Sequence, residues 1–185
     1  MITKEQAIDS LRSTLNDDID IILDNIIEKD YGWVLFCQSK KFIETGDDMY
    51  MTIGSGGTLV VKDGGKHIEF GSSYSLEENL DIYEKGYLKY ENGDLVITTV
   101  NNLQKTIDLL LTLGIVYVVP EEAHGTEWRI PQQYEEGELK KKLAQTPVRF
   151  NVGNLYFKYH ELEEFKLQNA FTYELVENDG FENSI

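Results

Sequence analysis

Two strand-forming runs and a glycine turn within residues 32–71 constrain the fold of this chain more than any other feature. Residues 33–38 read WVLFCQ and residues 58–62 read TLVVK, and such aromatic and β-branched runs favour strands. The tripeptide DGG that follows is a hairpin signal, and it predicts a partner strand over residues 66–70. The stretch therefore predicts a small antiparallel sheet.

A helix is predicted on each side of these strands. A Thr-x-x-Gln capping box at residues 3–6 predicts a helix over residues 4–15, and a Ser-x-x-Glu box at residues 75–78 predicts a second helix that ends at Gly86. Each helix must bury its apolar stripe against the sheet. Residues 1–86 therefore predict a two-layer α+β domain.

The segments between these elements are less regular. Residues 19–28 are expected to form one strand that pairs with residues 33–38 as a hairpin. Residues 39–48 are expected to continue that second strand or to bend. Residues 46–57 contain four glycines and little periodicity, which predicts a flexible loop.

Four short motifs in this half resemble a known family. They are GWVLF at residues 32–36, FIETGD at 42–47, LVVKDG at 59–64 and FG at 70–71. Together they resemble the immunity protein 35 family, also called the YrhB family, in which an aromatic GW strand leads to a Y/FLETGD bend. The proline that precedes the third strand in that family is absent, because Gly57-Thr58 stands in its place. The resemblance covers about residues 1–86.

Residues 87–185 predict a second α+β unit or an extension of the first sheet, and they resemble no family. Asn92 and Gly93 form a strong turn signal, which predicts a hairpin between strands at residues 87–90 and 95–99. The second half therefore begins with a predicted hairpin of its own.

A helix and a buried strand are predicted after that hairpin. Asn101 or Asn102 can cap the helix, and Gly114 ends it. Residues 115–119 form a continuous apolar run, which predicts a buried central strand that ends at Pro120. The inward-facing helix residues are expected to be Leu103, Ile107, Leu110 and Leu111. The remaining predicted elements are a loop at 121–125, an extended segment at 128–130, helices at 138–144 and 160–167, and strands at 148–150, 155–158 and 171–176.

The charge of the chain restricts the classes of partner. The formal net charge is −16, and acids outnumber bases in both halves. Such a surface repels nucleic acid, whose binding depends on Lys and Arg, and it favours a basic protein partner. The same charge also serves plain solubility. One cysteine, no signal-like N-terminus and no apolar run that could cross a bilayer together predict a cytoplasmic protein.

Three groups of residues have part of a catalytic or ligand site. The GSGG sequence at residues 54–57 is followed by a predicted strand, whereas a phosphate loop leads into a helix through Lys-Ser/Thr. Glu121, Glu122 and His124 are close in sequence but have no further histidine at ligand spacing. Cys37 is expected to pack inertly within a strand. The sequence therefore predicts no cofactor, no metal and no enzymatic activity.

Two groups of residues are predicted to bind a partner. The acidic bend contributes Glu44, Asp47, Asp48 and Tyr50. The loop-rich region of the second half contributes Glu121, Glu122 and Trp128. Loops on a rigid scaffold carry function, and Trp is enriched at binding hot spots, whereas Trp33 is expected to be core. The alternative is that each is an ordinary solvated surface residue.

The family resemblance implies a cytoplasmic immunity protein of a bacterial polymorphic toxin system. It further implies a cognate toxin as partner, in several such systems with a papain-like peptidase fold. The inhibition would then be stoichiometric binding, steered by the acidic surface to a basic toxin domain. Small YrhB-type members of the family imply an alternative, a chaperone-like holdase, which would need an exposed apolar patch. The sequence predicts no particular oligomeric state.

Overall fold

The computed structural model describes residues 1–123 and 126–178, and it separates into two compact units. The first unit is Met1–Asp81 and the second is Ile82–Ile185, so the boundary falls inside the helix Leu76–Glu84. Both units combine antiparallel sheets with helices, and the predicted α+β class is therefore confirmed. Within the described residues no helix combines the length and apolarity needed to cross a membrane.

The first unit is built on a four-stranded antiparallel sheet with the order β2-β3-β5-β6. A two-stranded sheet, β1-β4, accompanies it. The elements are α1 (Lys4–Arg12), β1 (Ile19–Ile21), β2 (Ile27–Lys29), β3 (Gly32–Leu35), β4 (Cys37–Ser39), α2 (Lys40–Thr45), β5 (Ser55–Val61), β6 (His67–Gly71) and α3 (Leu76–Glu84).

Helix α1 covers one face of the first unit's strands. Its capping box is present as predicted, because the Thr3 hydroxyl accepts from the Gln6 amide and the Gln6 side chain accepts from the Thr3 amide. The buried core beneath it brings together Ala7, Leu11, Ile21, Leu35 and Val60. The helix thus buries its apolar stripe as the two-layer prediction requires.

The predicted hairpin between residues 19–28 and 33–38 forms, but its first strand is broken. Strand β1 pairs with β4 and strand β2 pairs with β3, with residues 22–26 bulging between them. The amide of Ile22 donates to the carbonyl of Phe36 at 2.8 Å, which keeps the hairpin closed across the break. The prediction of one continuous strand over residues 19–28 is therefore wrong.

Residues 39–48 are not a strand extension. Helix α2 begins at Lys40 because the Ser39 hydroxyl accepts a hydrogen bond from the Phe42 amide, and it ends at Gly46, whose φ of 66° is left-handed. The two capping signals lie in the sequence, but the helix between them has only six residues. A helix this short gives too little periodicity to be recognised.

The glycines at residues 54–57 lead into strand β5 rather than forming a flexible loop. A Cβ added at Gly56 would lie 2.4 Å from the carbonyl oxygen of Gly71, and one at Gly57 would lie 3.0 Å from the Phe36 ring. The register of β5 against β6 shifts between Ser55 and Thr58. Glycine is therefore required here for a close, bulged strand pairing.

The second unit is built on a three-stranded antiparallel sheet with the order β10-β7-β11 and on a separate two-stranded ribbon, β8-β9. Its core contains aromatic side chains such as Phe150, Phe165 and Phe171. The elements are β7 (Gly93–Val100), α4 (Leu103–Leu113), β8 (Val116–Ala123), β9 (Thr126–Gln133), α5 (Glu136–Leu143), β10 (Val148–Gly153), α6 (Tyr159–Gln168) and β11 (Phe171–Glu177).

The predicted hairpin across Asn92 and Gly93 is wrong. Strand β7 begins at Gly93, and residues 87–92 contain no strand. Both edges of β7 are instead occupied by strands from far along the chain, with β10 on one side and β11 on the other. The Asn92 side chain accepts a hydrogen bond from Asn151, so the turn-forming residue serves a long-range contact.

Helix α4 begins and ends where the sequence predicts. The Asn102 side chain accepts from the Lys105 amide, and Gly114 adopts a left-handed φ of 67°. Ile107 and Leu110 are buried as predicted. The prediction is wrong for Leu103 and Leu111, which are exposed, while Thr106 and Leu113 are buried instead.

Two predicted strands of the second half differ from the observed structure. Residues 115–119 are predicted to form a buried central strand ending at Pro120, but strand β8 continues through Pro120 and, among the described residues, pairs only with β9. The loop expected at residues 121–125 is therefore strand at Glu121 and Glu122. Residues 155–158 form a 3-10 helix rather than a strand. The elements predicted near residues 138–144, 148–150, 160–167 and 171–176 are present.

Candidate partner-binding surfaces

A run of exposed residues in the first unit, residues 43–53, forms what we call the 43–53 surface. It begins on helix α2 and continues through Gly46 into a single 3-10 turn, Asp48–Tyr50. The Asp47 carboxylate accepts from the Met49 amide at 2.9 Å and so caps this turn. Local hydrogen bonds of this kind fix the backbone of the segment.

Two side chains of strand β4 tie the segment to the sheet. The Ser39 hydroxyl donates to the carbonyl of Tyr50, and the Gln38 side chain makes three hydrogen bonds to Thr52. Each of the Gln38 contacts is 2.8 Å long. The loop is thus fixed to the scaffold at two points, although its own side chains point into solvent.

The 43–53 surface exposes an unusual amount of apolar side chain. Met49 is 82% exposed and Ile53 is 95% exposed, without a burying neighbour. Ile43, Tyr50 and Met51 are also exposed. Contiguous apolar exposure of this kind marks an interaction surface more often than scattered single residues do.

Exposed carboxylates lie close in sequence to these apolar side chains. Glu44, Asp47 and Asp48 are all exposed, which places three negative charges within five residues. The Lys41 ammonium lies 5.1 Å from the centre of the Tyr50 ring, which holds that ring over helix α2. The four predicted residues of the acidic bend are therefore brought together on one surface.

The second predicted group lies on the β8–β9 ribbon, which is the pair of strands Val116–Ala123 and Thr126–Gln133. Glu121 is directly opposite Trp128, and Glu122 is directly opposite Glu127. Residues that are opposite each other in an antiparallel pair share a face. Glu121 and Trp128 are therefore on one face of the ribbon, and Glu122 is on the other.

The face that carries Trp128 is anchored at its other end. The Tyr117 hydroxyl lies 3.1 Å from both Gln132 and Glu138, and the Tyr117 ring centre lies 4.6 Å from that of Tyr134. Beyond this contact every residue of β9 is exposed, and Trp128 is 58% exposed. The ribbon is thus held at one end by aromatic packing and solvated along the rest of its described length.

Other candidate groups serve the fold. Burial raises the pKa of the Cys37 thiol, and the carboxylates of Asp20 and Glu69 raise it further, which disfavours the reactive thiolate. Within residues 1–123 and 126–178 no three His, Cys, Asp or Glu side chains are grouped as metal ligands, and His124 lies outside that part. The glycines at 54–57 lead into a strand, whereas a phosphate loop leads into a helix.

Sequence reasoning overlooked one side-chain pair. The Ser10 hydroxyl of helix α1 lies 2.9 Å from Nε2 of His67 on strand β6. Among the described residues no carboxylate hydrogen-bonds to that histidine, so the orienting acid of a catalytic triad is not supplied. The pair ties the helix to the edge strand of the sheet.

The two tryptophans differ in environment. Trp33 is half-buried and packs against the core of the first unit, with the Lys62 ammonium 4.8 Å from the centre of its ring. Trp128 is exposed on the ribbon. The sequence analysis did not predict the exposed apolar side chains next to either group. For the first group a signal was available, because the apolar sequence MYMTI at residues 49–53 lies outside any predicted helix or strand. These neighbours are Ile43, Met49, Met51, Ile53, Val118 and Ile130.

Comparison with known proteins confirms the resemblance of the N-terminal half. Residues 4–82 match the family model described as Immunity protein 35. The chain is also 29% identical over 85 residues to the uncharacterised protein YrhB of Escherichia coli (strain K12), an alignment that covers 45% of this chain and 90% of YrhB. No solved structure matches the chain. The match includes the 43–53 surface and ends before the β8–β9 ribbon.

Proposed function

We propose, from the match of residues 4–82 to Immunity protein 35, that this protein is an immunity protein of a bacterial polymorphic toxin system. It acts in the cytoplasm by binding its cognate toxin in a stoichiometric complex, without catalysing a reaction. A toxin with a papain-like peptidase fold and a basic surface is the expected partner. The proposal assigns the chain no role in binding nucleic acid or membranes.

The observation that carries the proposal is the composition and anchoring of the 43–53 surface. Met49 and Ile53 supply apolar contact area, and the carboxylates of Glu44 and Asp48 flank them. An interface of this kind joins an apolar centre to a charged rim. Because Ser39 fixes the Tyr50 carbonyl, little backbone ordering remains to oppose binding.

The net charge of −16 supports a basic partner. Complementary charge speeds association and loses that effect as salt rises. An inhibitor that must act before its toxin does damage benefits most from the association rate. We therefore expect association with the toxin to be fast at low ionic strength and slower at high ionic strength.

A holdase function is the second candidate, and the same exposed apolar side chains favour it. A holdase must accept many unfolded clients through an adaptable surface, and exposed methionines such as Met49 and Met51 suit that purpose. The hydrogen bond that Thr52 donates to Gln38 and the one that Ser39 donates to the Tyr50 carbonyl hold the loop in one shape, which suits one defined partner better.

The test begins with the genes beside this one, where the proposal expects a toxin domain, and uses that domain. We expect the purified full chain to bind that domain in a 1:1 complex by calorimetry and to protect cells that express it. Exchanging Met49 and Ile53 for serine should weaken binding by about 100-fold, because two exposed anchors are removed.

Matched substitutions elsewhere on the first unit serve as controls. Leu23 is 54% exposed, and its exchange for serine should leave binding unchanged. Reversing the charge of Asp9 and Asp24, both exposed, controls for reversing Glu44 and Asp48. Absence of a complex, combined with suppression of the aggregation of an unrelated heat-denatured protein, would instead favour the holdase.

A further inference from the structure

We propose that the β8–β9 ribbon is a docking arm that places Trp128 in an apolar pocket on a basic surface of the toxin. This inference rests on the proposed function and names a second contact element for the same partner. The ribbon lies in residues 116–133, outside the matched region 4–82. It would therefore add specificity for one toxin to a scaffold that the family shares.

Three apolar side chains of the ribbon remain exposed in the fold. Val118 is 52% exposed, Trp128 is 58% exposed and Ile130 is 38% exposed. Every residue of β9 is exposed, although a two-stranded ribbon is only marginally stable without something packed against it. A tryptophan left in solvent at such a place is typical of a binding hot spot.

Anchoring at one end gives the ribbon a defined direction. Tyr117 packs against Tyr134 and lies within hydrogen-bond distance of Glu138 on helix α5. Trp128 is opposite Glu121. Glu121 is four residues beyond Tyr117 on β8, so the two positions are about 13 Å apart along the strand. The indole therefore extends well beyond the anchored end without needing a disordered linker.

The negative charge of the ribbon favours a basic protein surface as the partner. Glu121, Glu122 and Glu127 place carboxylates on both faces of the ribbon next to Trp128, against one cation, Arg129, among residues 121–130 of the described chain. A toxin surface of Lys and Arg around an apolar pocket complements this pattern. A nucleic acid or an anionic membrane would meet like charge.

A second copy of this chain fits the ribbon poorly. A symmetric contact through the face that carries Trp128 would bring the Glu121 carboxylate of each copy into the same interface, where the like charges repel. Addition of a strand at either edge is also impeded, because β8 contains Pro120 and β9 contains Pro131. Proline is tolerated in a strand where a backbone N–H at its position would point away from the paired strand. Each of these two prolines therefore lacks the N–H donor that an added third strand would need.

The test measures binding of the full chain to the toxin domain that the proposed function expects to be encoded beside its gene. Trp128→Ala should raise the Kd at least about 30-fold, and Trp128→Phe should lose less. Reversing Glu121 and Glu122 to lysine should slow association about 10-fold and flatten its dependence on salt. Phe157→Ala is the matched apolar control, because Phe157 is 59% exposed in the same unit, and Glu91 and Glu174 reversed to lysine control for charge.

The outcomes separate this inference from the proposed function. If the wild-type chain binds and the ribbon variants bind equally well, the docking arm is refuted while the immunity function stands. If the wild-type chain does not bind the toxin domain at all, both are refuted. If Trp128→Ala converts a dimeric wild-type chain into a monomer in sedimentation experiments without changing toxin affinity, the ribbon is a self-association surface and the inference is wrong.

Discussion

Glu121 lies directly opposite Trp128 in the β8–β9 ladder, so an exposed carboxylate and an exposed indole share one face of a solvated ribbon. This pairing contrasts with Trp33, whose indole packs against the core beneath the Lys62 ammonium. Two tryptophans of one chain therefore have different roles. Trp33 contributes to the packing of the first unit, whereas Trp128 is 58% exposed.

The two tryptophans should differ in their contribution to stability. We expect Trp33→Ala to lower the free energy of unfolding by about 2 kcal/mol, because it removes a half-buried ring and its cation–π contact. Trp128→Ala should change it by less than about 0.5 kcal/mol. Urea unfolding followed by circular dichroism measures both, and equal losses would contradict the difference in environment.

Two glycines in different environments, Gly56 and Gly137, test whether a close backbone contact requires glycine. Gly56→Ala should destabilise the first unit by more than about 2 kcal/mol, because the new Cβ would lie 2.4 Å from the Gly71 carbonyl oxygen and push β5 from β6. Gly137→Ala should be neutral or stabilising by up to about 1 kcal/mol, because it lies in helix α5 with open space around it. Thermal unfolding measures the Tm of both variants, and an unchanged Tm for Gly56→Ala would contradict the prediction.

The Glu163 carboxylate should make stability depend on acid pH. Burial would raise its pKa, but hydrogen bonds from Lys85, Tyr87 and Lys166 outweigh that effect and lower the pKa from 4.5 to about 2. A lowered folded-state pKa contributes stability above about pH 4.5, and the contribution is lost as pH falls toward 2.

The variant Glu163→Gln isolates this contribution. Near neutral pH it should cost about 1–2 kcal/mol of unfolding free energy, after allowance for the partial exposure of the two lysines. The difference from wild type should shrink between pH 5 and pH 3 in urea titrations. Glu164→Gln, on the exposed side of the same helix, is the control, and a loss that did not vary with pH would rule out the ion pairs as its cause.

Asp94 should be the most costly polar residue to remove from the second unit. It is 3% exposed on β7 and accepts hydrogen bonds from Arg149 on β10 and from Asn151 and Asn178. Asp94→Ala should cost about 2–4 kcal/mol, because it removes a buried acceptor that three donors share. Asp94→Asn should cost less. Chemical denaturation measures the free energy of unfolding of both variants, and equal values would contradict this expectation.

Sequence reasoning succeeded where a signal was local. The capping box at Thr3 and the caps of α4 at Asn102 and Gly114 predicted helix ends correctly, because each satisfies backbone groups within one turn. The β5–β6 hairpin likewise followed from its own turn residues, Gly64 and Gly65. The two-layer α+β class followed from the order of such elements.

Sequence reasoning failed where distant segments decided the outcome. Asn92 and Gly93 carry a hairpin signal, but β10 and β11 occupy both edges of β7, so no neighbour in sequence was needed as a partner. Residues 115–119 are apolar enough for a buried strand, and Ile115 is buried, yet residues 116–119 belong to the two-stranded β8–β9 ribbon. Hydrophobic runs indicate strand formation but not which sheet will bury them.

The candidate surfaces were predicted only in part, because some of their exposure depends on contacts between segments that are distant in sequence. The carboxylates of the bend were identified because acids in loops are exposed almost by default. The exposure of Met49 and Ile53 depends on how Gln38 and Ser39 fix the loop backbone, which no local pattern reveals. Trp128 was assigned to a surface because charged residues flank it, and the structure places it there.

The solvated ribbon has a consequence for how such a protein can change over generations. Because the side chains of β9 contribute almost nothing to a core, most replacements there leave the folded population intact. Substitutions in β9 can therefore accumulate without first being offset by stabilising mutations elsewhere. The sequence of residues 126–133 can therefore diverge further than that of the core strands while the fold stays the same.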